Sequence, residues 1–302
     1  MLKEVTVDVL AGMFHKLPIK SGLTQICFNP AMNRLLRKGP PVALARLRDG
    51  GHIEVSMSDY HGRILYFFGT NDPKVEETAR FLLQPSDAFL DIGANYSTIG
   101  LAASHVVGPT GSVHLFEPQR LLSDRVQRAI DSGNYRNVTL HRVGLMDHDD
   151  KLSLHSPSYH SGMATFADHD EVSCFDIVEE CEVKDIKTYA APLVSGRTFG
   201  AKLDIEGAEP KVMPWLVDQP NLKFLIFEAA HNQSTLFETI RSSGLILYGL
   251  ERGVLRVRLM RIDVLSQISR FHDLVAVRIG NNSSPPKSAS PRELSSFMQS
   301  EP

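Results

Sequence analysis

The residues of this chain best placed to do chemistry are carboxylates and glycines at the exits of apolar runs. Residues 89–100, Phe-Leu-Asp-Ile-Gly-Ala-Asn-Tyr-Ser-Thr-Ile-Gly, read as a buried strand that breaks into a glycine turn and opens a helix. In open α/β sheets a ligand sits where the carboxyl end of a strand meets the next helix, and Gly93 allows backbone to approach it closely. The turn holds neither G-x-G-x-x-G nor G-x-x-x-x-G-K-[ST], so it is no phosphate cradle. Asp91 puts a fixed negative charge at the strand tip, which repels a pyrophosphate and suits a cofactor bearing an ammonium and a sulfonium. S-adenosylmethionine (SAM) carries both. Glu117 follows the next short strand, Ser112–Phe116, at the place where an acidic residue roughly 20 residues past the turn takes ribose hydroxyls. Singly, Asp91 reads equally as a helix cap and Glu117 as a solvated turn residue. Together, ending two strands of one β-α-β unit, they point to a nucleoside cofactor.

A second cluster lies at Lys202-Leu-Asp204-Ile-Glu206-Gly-Ala-Glu209-Pro210. Strand parity puts Lys202, Asp204 and Glu206 on one face, so Lys202 can pair with Asp204 within the sheet. Glu209 before Pro210 fits an ordinary helix entry. Asp204 sits at the strand tip facing the cofactor cleft. A hydroxyl acceptor would need its proton removed, and the candidates are Glu206, Glu209, Glu228 and His231. His231 follows the fifth core strand and has the better natural pKa, although a loop histidine capping the helix near Asn232 is the plainer reading. The catalytic expectation is Glu206 and His231 with Asp204. Asp204, Glu228 and Asn232 offer hard oxygen ligands, but a nearby histidine is a soft companion for magnesium, so acid–base chemistry without a metal is expected. His148, His155, His160 and His169 are expected at the surface.

These residues must be positioned by an alternating β-α core. Ala88–Asp91, Val113–Phe116 and Val138–Arg142 read as strands separated by helices Ser97–Val107 and Leu121–Ser132. Ala201–Ile205, Phe224–Phe227, Leu245–Leu250 and Leu274–Ile279 continue the sheet, with Val254–Leu259 pairing back on Leu245–Leu250. Residues 1–50 read as a helical preface. Ile53–Met57 and Arg63–Phe68 read as a hairpin around Asp59-Tyr-His-Gly62, and Lys74–Leu83 as a helix. Residues 151–189 interrupt the rhythm with short strands at Lys151–His155, Ala164–Phe166 and Cys181–Ile186, and 281–302 read as a disordered tail.

The 302 residues, 42% of them hydrophobic, suffice for one large domain with additions, and a net charge of −3 supplies no basic field for nucleic acid. The mild cluster Arg252, Arg256, Arg258 and Arg261 reads as the solvated side of a hairpin. Cys27, Cys174 and Cys181 lack C-x-x-C spacing, which argues for a reducing compartment and against a zinc ribbon. The opening residues do not resemble a signal peptide, and no apolar run approaches the roughly 18 residues of a membrane span. A soluble cytoplasmic protein is expected.

Asp91-Ile-Gly-Ala-Asn95, Phe116-Glu-Pro118, Asn137-Val138, Lys202-x-Asp-x-Glu-Gly-Ala-Glu209 and Ile226-x-Glu228 together resemble the FkbM-type class I SAM-dependent methyltransferases. The resemblance runs in consistent order over about residues 51–280. It implies a doubly wound, mostly parallel seven-stranded sheet of order 3-2-1-4-5-7-6, and methyl transfer to a hydroxyl of a sugar, lipid or secondary-metabolite acceptor. The cofactor set is then Asp91, Gly93, Ala94, Asn95, Glu117, Gly144 and Asp204. Tyr96-Ser97-Thr98 departs from the usual, smaller loop residues, and Ile186-Lys-Thr-Tyr189 stands where a Leu-Asp-Asp segment is common. Pro214 should delay or kink the helix after strand four. A SAM-binding protein of this fold without turnover is the alternative, and an NAD or nucleotide-sugar enzyme is disfavoured by the missing phosphate glycines.

Overall fold

Two five-residue strands build the centre of the sheet, since Ala88–Ile92 and Phe199–Leu203 are buried at every position and are apolar but for Asp91 and Lys202. Strands covered on both faces read as continuous apolar runs. The computed structural model describes residues 2–37, 40–166, 175–251, 253–279 and 285–298. Along the chain come α1 (Leu2–Phe14), α2 (Leu23–Cys27), α3 (Pro30–Leu36), β1 (Val42–Arg46), β2 (His52–Ser56), α4 (Tyr60–Phe68) and α5 (Pro73–Leu82). The alternating core follows as β3 (Ala88–Ile92), α6 (Thr98–Val107), β4 (Ser112–Phe116), α7 (Arg120–Ser132) and β5 (Val138–His141). Then come β6 (Gly144–Met146), β7 (Asp150–Ser156), β8 (Ile177–Asp185), α8 (Ile186–Tyr189) and α9 (Ala191–Val194). The remainder is β9 (Phe199–Leu203), α10 (Glu209–Asp218), β10 (Leu222–Glu228), α11 (Gln233–Ser242), β11 (Ile246–Leu250), β12 (Leu259–Arg261), β13 (Asp273–Val277), β14 (Ser288–Ala289) and α12 (Pro291–Met298).

The main sheet runs β14-β12-β11-β13-β10-β9-β3-β4-β5. From β5 to β11 this is the doubly wound order 3-2-1-4-5-7-6 implied above, with β13 antiparallel between β10 and β11 and two short edge strands added. Side-chain parity splits the core. Phe89, Leu115 and Ile226 pack with Leu65, Phe67 and Leu101 on one face, while Leu90, Leu203 and Phe227 pack with Val212, Leu216 and Leu236 on the other. Strands β6, β8 and β7 form a separate three-stranded sheet, in which β7 takes in the expected strand Lys151–His155 and β8 most of Cys181–Ile186. Only Thr165 of the expected Ala164–Phe166 strand pairs, through a bridge to His155. Among the described residues no helix is long and apolar enough to cross a membrane.

Several expectations are corrected. Arg63–Phe68 is not a strand but the body of α4, because the Asp59 carboxylate accepts from Gly62 N at 2.7 Å and caps the helix, and Ile64, Leu65, Phe67 and Phe68 are buried around it. Ile53–Ser56 pairs instead with β1, in the register Val42↔Ser56, so the helical preface ends before residue 42 and a boundary at residue 50 would cut a hairpin. The chain does return antiparallel on β11, but the pairing strand is Leu259–Arg261, with Leu259 opposite Leu250, and not Val254–Leu259. Pro214 does not delay α10, which starts at Glu209 and runs through it. Residues 285–298 of the supposed tail hold β14 and α12, with Ala289 and Leu294 buried. Ser290 and Glu293 cap that helix reciprocally, Ser290 N donating to Glu293 Oε2 at 2.7 Å and Glu293 N to Ser290 Oγ at 3.3 Å. Cys174 and His169 lie outside the described residues.

Docking of α12 yields a test. Leu294 is fully buried in the core that includes Leu82 of α5, so Leu294→Ala should cost on the order of 2–5 kcal/mol in chemical denaturation. An unchanged unfolding midpoint would mean that α12 adds nothing to the core.

Candidate functional site

Two strand tips meet at the centre of the sheet, and only glycine permits the meeting. Gly93 has φ +76, and a Cβ built on it would lie 1.8 Å from the Asp204 carbonyl oxygen. The turn after β3 is held from the far side by β4, because the amides of Gly93 and Ala94 donate to the Phe116 carbonyl at 3.1 and 3.0 Å. Asn95 and Ser97 take left-handed backbone, at φ 51 and 56, to carry the turn into α6. Tyr96, bulkier than expected for this loop, is fully buried, and its hydroxyl accepts from Ser56 N and Arg125 Nη1 at 3.3 Å each. It thereby ties the loop to β2 and α7.

Glu117 stands just past β4 with 2% of its surface exposed. Its Oε2 accepts from Asn95 N at 2.7 Å and its Oε1 from Gln119 N at 2.8 Å. Burial outweighs these two bonds and pushes its pKa up to about 7. Asp91 is placed differently from the expectation that it meets a ligand's ammonium. Its Oδ2 accepts from Gly100 N at 3.0 Å and its Oδ1 lies 3.6 Å from Lys202 Nζ, beneath the turn, lining neither of the cavities described below. Gly100 crowds it further, with a virtual Cβ 2.9 Å from Asp91 Oδ2. Asp91 is a positioning residue of the turn. Lys202 reaches the Gly93 carbonyl at 2.9 Å and Asp204 Oδ2 at 3.1 Å, the pairing that strand parity anticipates.

Two cavities open at these tips. The smaller, about 60 Å³, is bordered by Gly93, Asn95, Glu117, Gly144, Phe166 and Asp204. The larger, about 620 Å³, includes Ala94, Lys74, Glu228, His272, Tyr60 and His160 on its walls. Asn95, Asp204, Glu206 and His61 belong to both and mark the junction. Asp204, Glu206 and Glu228 bring one carboxylate oxygen each within 4.8 Å of one another, a spacing that a hard divalent cation could bridge. Burial, then repulsion by Asp204, pushes Glu206 up to about 8 and Glu228 up to about 7. Glu206 also holds left-handed backbone, at φ 50. Glu209 turns away from this group, its carboxylate accepting from Ile205 N at 3.1 Å and Gly207 N at 3.0 Å, which is the structural role expected of it.

Of the sequence-derived set, Gly93, Ala94, Asn95, Glu117, Gly144, Asp204 and Glu206 come together, and Asp91 lies beneath them. His231 does not join them. It is exposed on the turn before α11 and lines neither cavity. In its place stand two histidines that sequence reasoning passed over. His61 of α4 lies at the cavity junction with Nδ1 unpartnered, and burial keeps it below its ordinary pKa. His160, expected at the surface, is half-buried and stacks on Tyr60 at 4.3 Å; burial and the neighbouring His61 push it down to about 4. Asp59 joins the two segments, accepting from Ser161 N at 2.6 Å while capping α4. The signal was Asp59 three residues before Gly62 at the head of an apolar run, a helix-start pattern.

Neither a family model nor a curated protein matches the chain. Among solved structures it is similar to a precorrin-6Y C5,15-methyltransferase from Geobacter metallireducens, at 11% identity over 68% of this chain and 87% of that one, with a TM-score of 0.40. It is also similar to Aeropyrum pernix fibrillarin with natively bound SAM, at 14% identity, 78% and 94% coverage and a TM-score of 0.38. The O-methyltransferase TomG of Streptomyces achromogenes, in complex with SAM, overlaps at 10% identity, 69% and 81% coverage and a TM-score of 0.40. These superpositions are distant, and the functional reading rests on the residues of this chain.

The buried acids give stability a pH slope with a definite sign. A carboxyl whose folded pKa is raised binds protons more tightly in the native state, so stability falls as pH climbs from the ordinary carboxyl range through the raised value. Glu117, Glu228 and Glu206 therefore destabilise progressively up to about pH 8. His272, raised to about 9 chiefly by its bond to Asp273, stabilises below its ordinary pKa and loses that contribution over the same rise. The melting temperature of the ligand-free protein should fall between pH 6.5 and about 8.5, and less steeply in Glu206→Gln. A flat or rising profile would contradict the burial of these groups.

Proposed function

We propose that this chain is a SAM-dependent methyltransferase that methylates a hydroxyl of a small-molecule, glycan or lipid acceptor. The observation carrying this is Glu117, a buried carboxylate past the tip of the second core strand, facing the glycine turn across one cavity in the strand order 3-2-1-4-5-7-6. A carboxylate there can take two ribose hydroxyls. Asn95 and Gly93 then border the methionine end, and Gly144 with Phe166 and Leu145 the adenine end. The order of motifs supports an FkbM-type enzyme. Unpaired, buried Cys27 and Cys181 fit a reducing, cytoplasmic setting.

The cofactor, when bound, supplies the activated methyl group. What remains for the protein is to align the acceptor oxygen and remove its proton. Glu206 and Asp204 border both cavities, so they stand where sulfonium and acceptor oxygen would meet. Glu206, with its raised pKa, is the base of this reading in place of His231. Its carboxylate accepts the hydroxyl proton as the oxygen takes the methyl group. The spacing of Asp204, Glu206 and Glu228 favours a second reading, in which a divalent cation held by the three carboxylates lowers the acceptor's pKa. The two differ in response to chelation: turnover that survives EDTA supports Glu206, and turnover lost to EDTA and restored by magnesium supports the cation.

Isothermal calorimetry with SAM, S-adenosylhomocysteine, NAD and a UDP-sugar checks the reading before any acceptor is known. SAM and S-adenosylhomocysteine should bind, and Glu117→Ala should weaken both at least about tenfold by removing a charge-assisted bond. Binding of NAD or the UDP-sugar without SAM, or a Glu117→Ala variant of unchanged affinity, would overturn it.

A further inference from the structure

The connection between β11 and β12 does something unusual for a loop. Loop tips favour small and polar residues, yet Val254 and Leu255 are 59% and 61% exposed. They are not isolated. Lys20 N donates to the Val254 carbonyl at 2.6 Å and the Ser21 hydroxyl to the Gly253 carbonyl at 3.1 Å, so this loop is fastened to the segment that follows α1. That segment exposes Leu17, and α1 exposes Val9 and Met13, which are four residues apart on one side of the helix. Residues 9–20 and 253–258 contain Lys16, Lys20, Arg256 and Arg258 but neither Asp nor Glu, in a chain whose net charge is −3. Lys20 is taken by Glu77. Lys16 and Arg256 are exposed and make no ion pair among the described residues.

Apolar side chains on a surface, flanked by the unpaired cations Lys16 and Arg256, match an anionic lipid headgroup layer over hydrocarbon. We infer that Leu17, Val254 and Leu255, with Lys16 and Arg256, form a surface that docks reversibly on an anionic bilayer. The place of this surface adds a consequence that rests on the methyltransfer reading. Lys20, Ser21, Gly22 and Leu23 also line the larger cavity, so the docked face lies next to the entrance an acceptor would use. A protein held there would draw its acceptor from the lipid surface.

The experiment is co-sedimentation of the full chain with vesicles of phosphatidylcholine alone and of phosphatidylcholine mixed with phosphatidylglycerol. The chain should pellet with the anionic vesicles and less at raised salt. Val254→Asp combined with Leu255→Asp should reduce this at least about tenfold, and Arg256→Glu with Lys16→Glu should reduce it on anionic vesicles. These side chains are exposed, so melting temperature and calorimetric SAM affinity should match the parent, and those two readouts separate failure of docking from failure of the cofactor reading. Absence of pelleting by the parent, or equal pelleting by the apolar double variant, overturns the inference. So does binding to soluble heparin without binding to vesicles, or a self-association in sedimentation velocity that the apolar double variant abolishes without any vesicle binding.

Discussion

One buried ammonium group holds the centre of this molecule together. Lys202, on β9, reaches the Gly93 carbonyl at the β3 turn, Asp204 at its own strand exit, and Asp91 beneath. A buried lysine is tolerated only when its charge is matched, and here attraction to Asp204 and Asp91 offsets desolvation, so its pKa is raised instead of lowered. The close approach of Gly93 to the Asp204 carbonyl depends on the same junction. If the lysine were lost, two carboxylates would face each other unpaired at the point where β3 and β9 present their loops. Asp91 thus holds the turn through Lys202 and the amide of Gly100, on the wall of neither cavity.

Around this centre the chain arranges acids of different character. Asp91 and Asp204 share a cation, Glu209 is absorbed by backbone amides, and Glu117 is held between two amides at the cavity wall. Glu206 and Glu228 lack such neutralisation, apart from His272 at 3.1 Å from Glu228. Their raised proton affinity follows from that deficit. The N-terminal elements supply the opposing wall: α4 brings His61 and Tyr60, and Asp59 fastens them to Ser161 of the inserted region. The site is therefore assembled from three parts of the chain that lie far apart in sequence.

Much of the fold is legible in the residues because its signals are local. The glycine turn after Phe-Leu-Asp, the strand before Glu117 and the Lys-x-Asp-x-Glu exit each sit within a dozen residues, and the strand order implied by the family resemblance they carry is the one observed. What misled is equally physical. Arg63–Phe68 is apolar enough for a strand, and only the Asp59 cap and burial on all sides make it helical. Pro285–Phe297 looks polar, yet Leu294 and Ala289 suffice to dock it once an edge strand and α5 offer a surface.

The sequence by itself determined the β-α rhythm, the conformational need for glycine at residue 93, and the acidic character of the strand exits, because all of these depend on neighbours along the chain. Tertiary structure decided which acids face a cavity and which are consumed as partners, since that depends on Lys202 of β9 reaching Asp91 and on the Asn95 amide reaching Glu117. It left His231 exposed and away from both cavities, and brought together His61 and His160, whose segments are separated by about a hundred residues and meet through the Asp59–Ser161 bond. Long-range contact carries no signature in a single chain's local pattern, so this part of the site became visible only once the chain was folded.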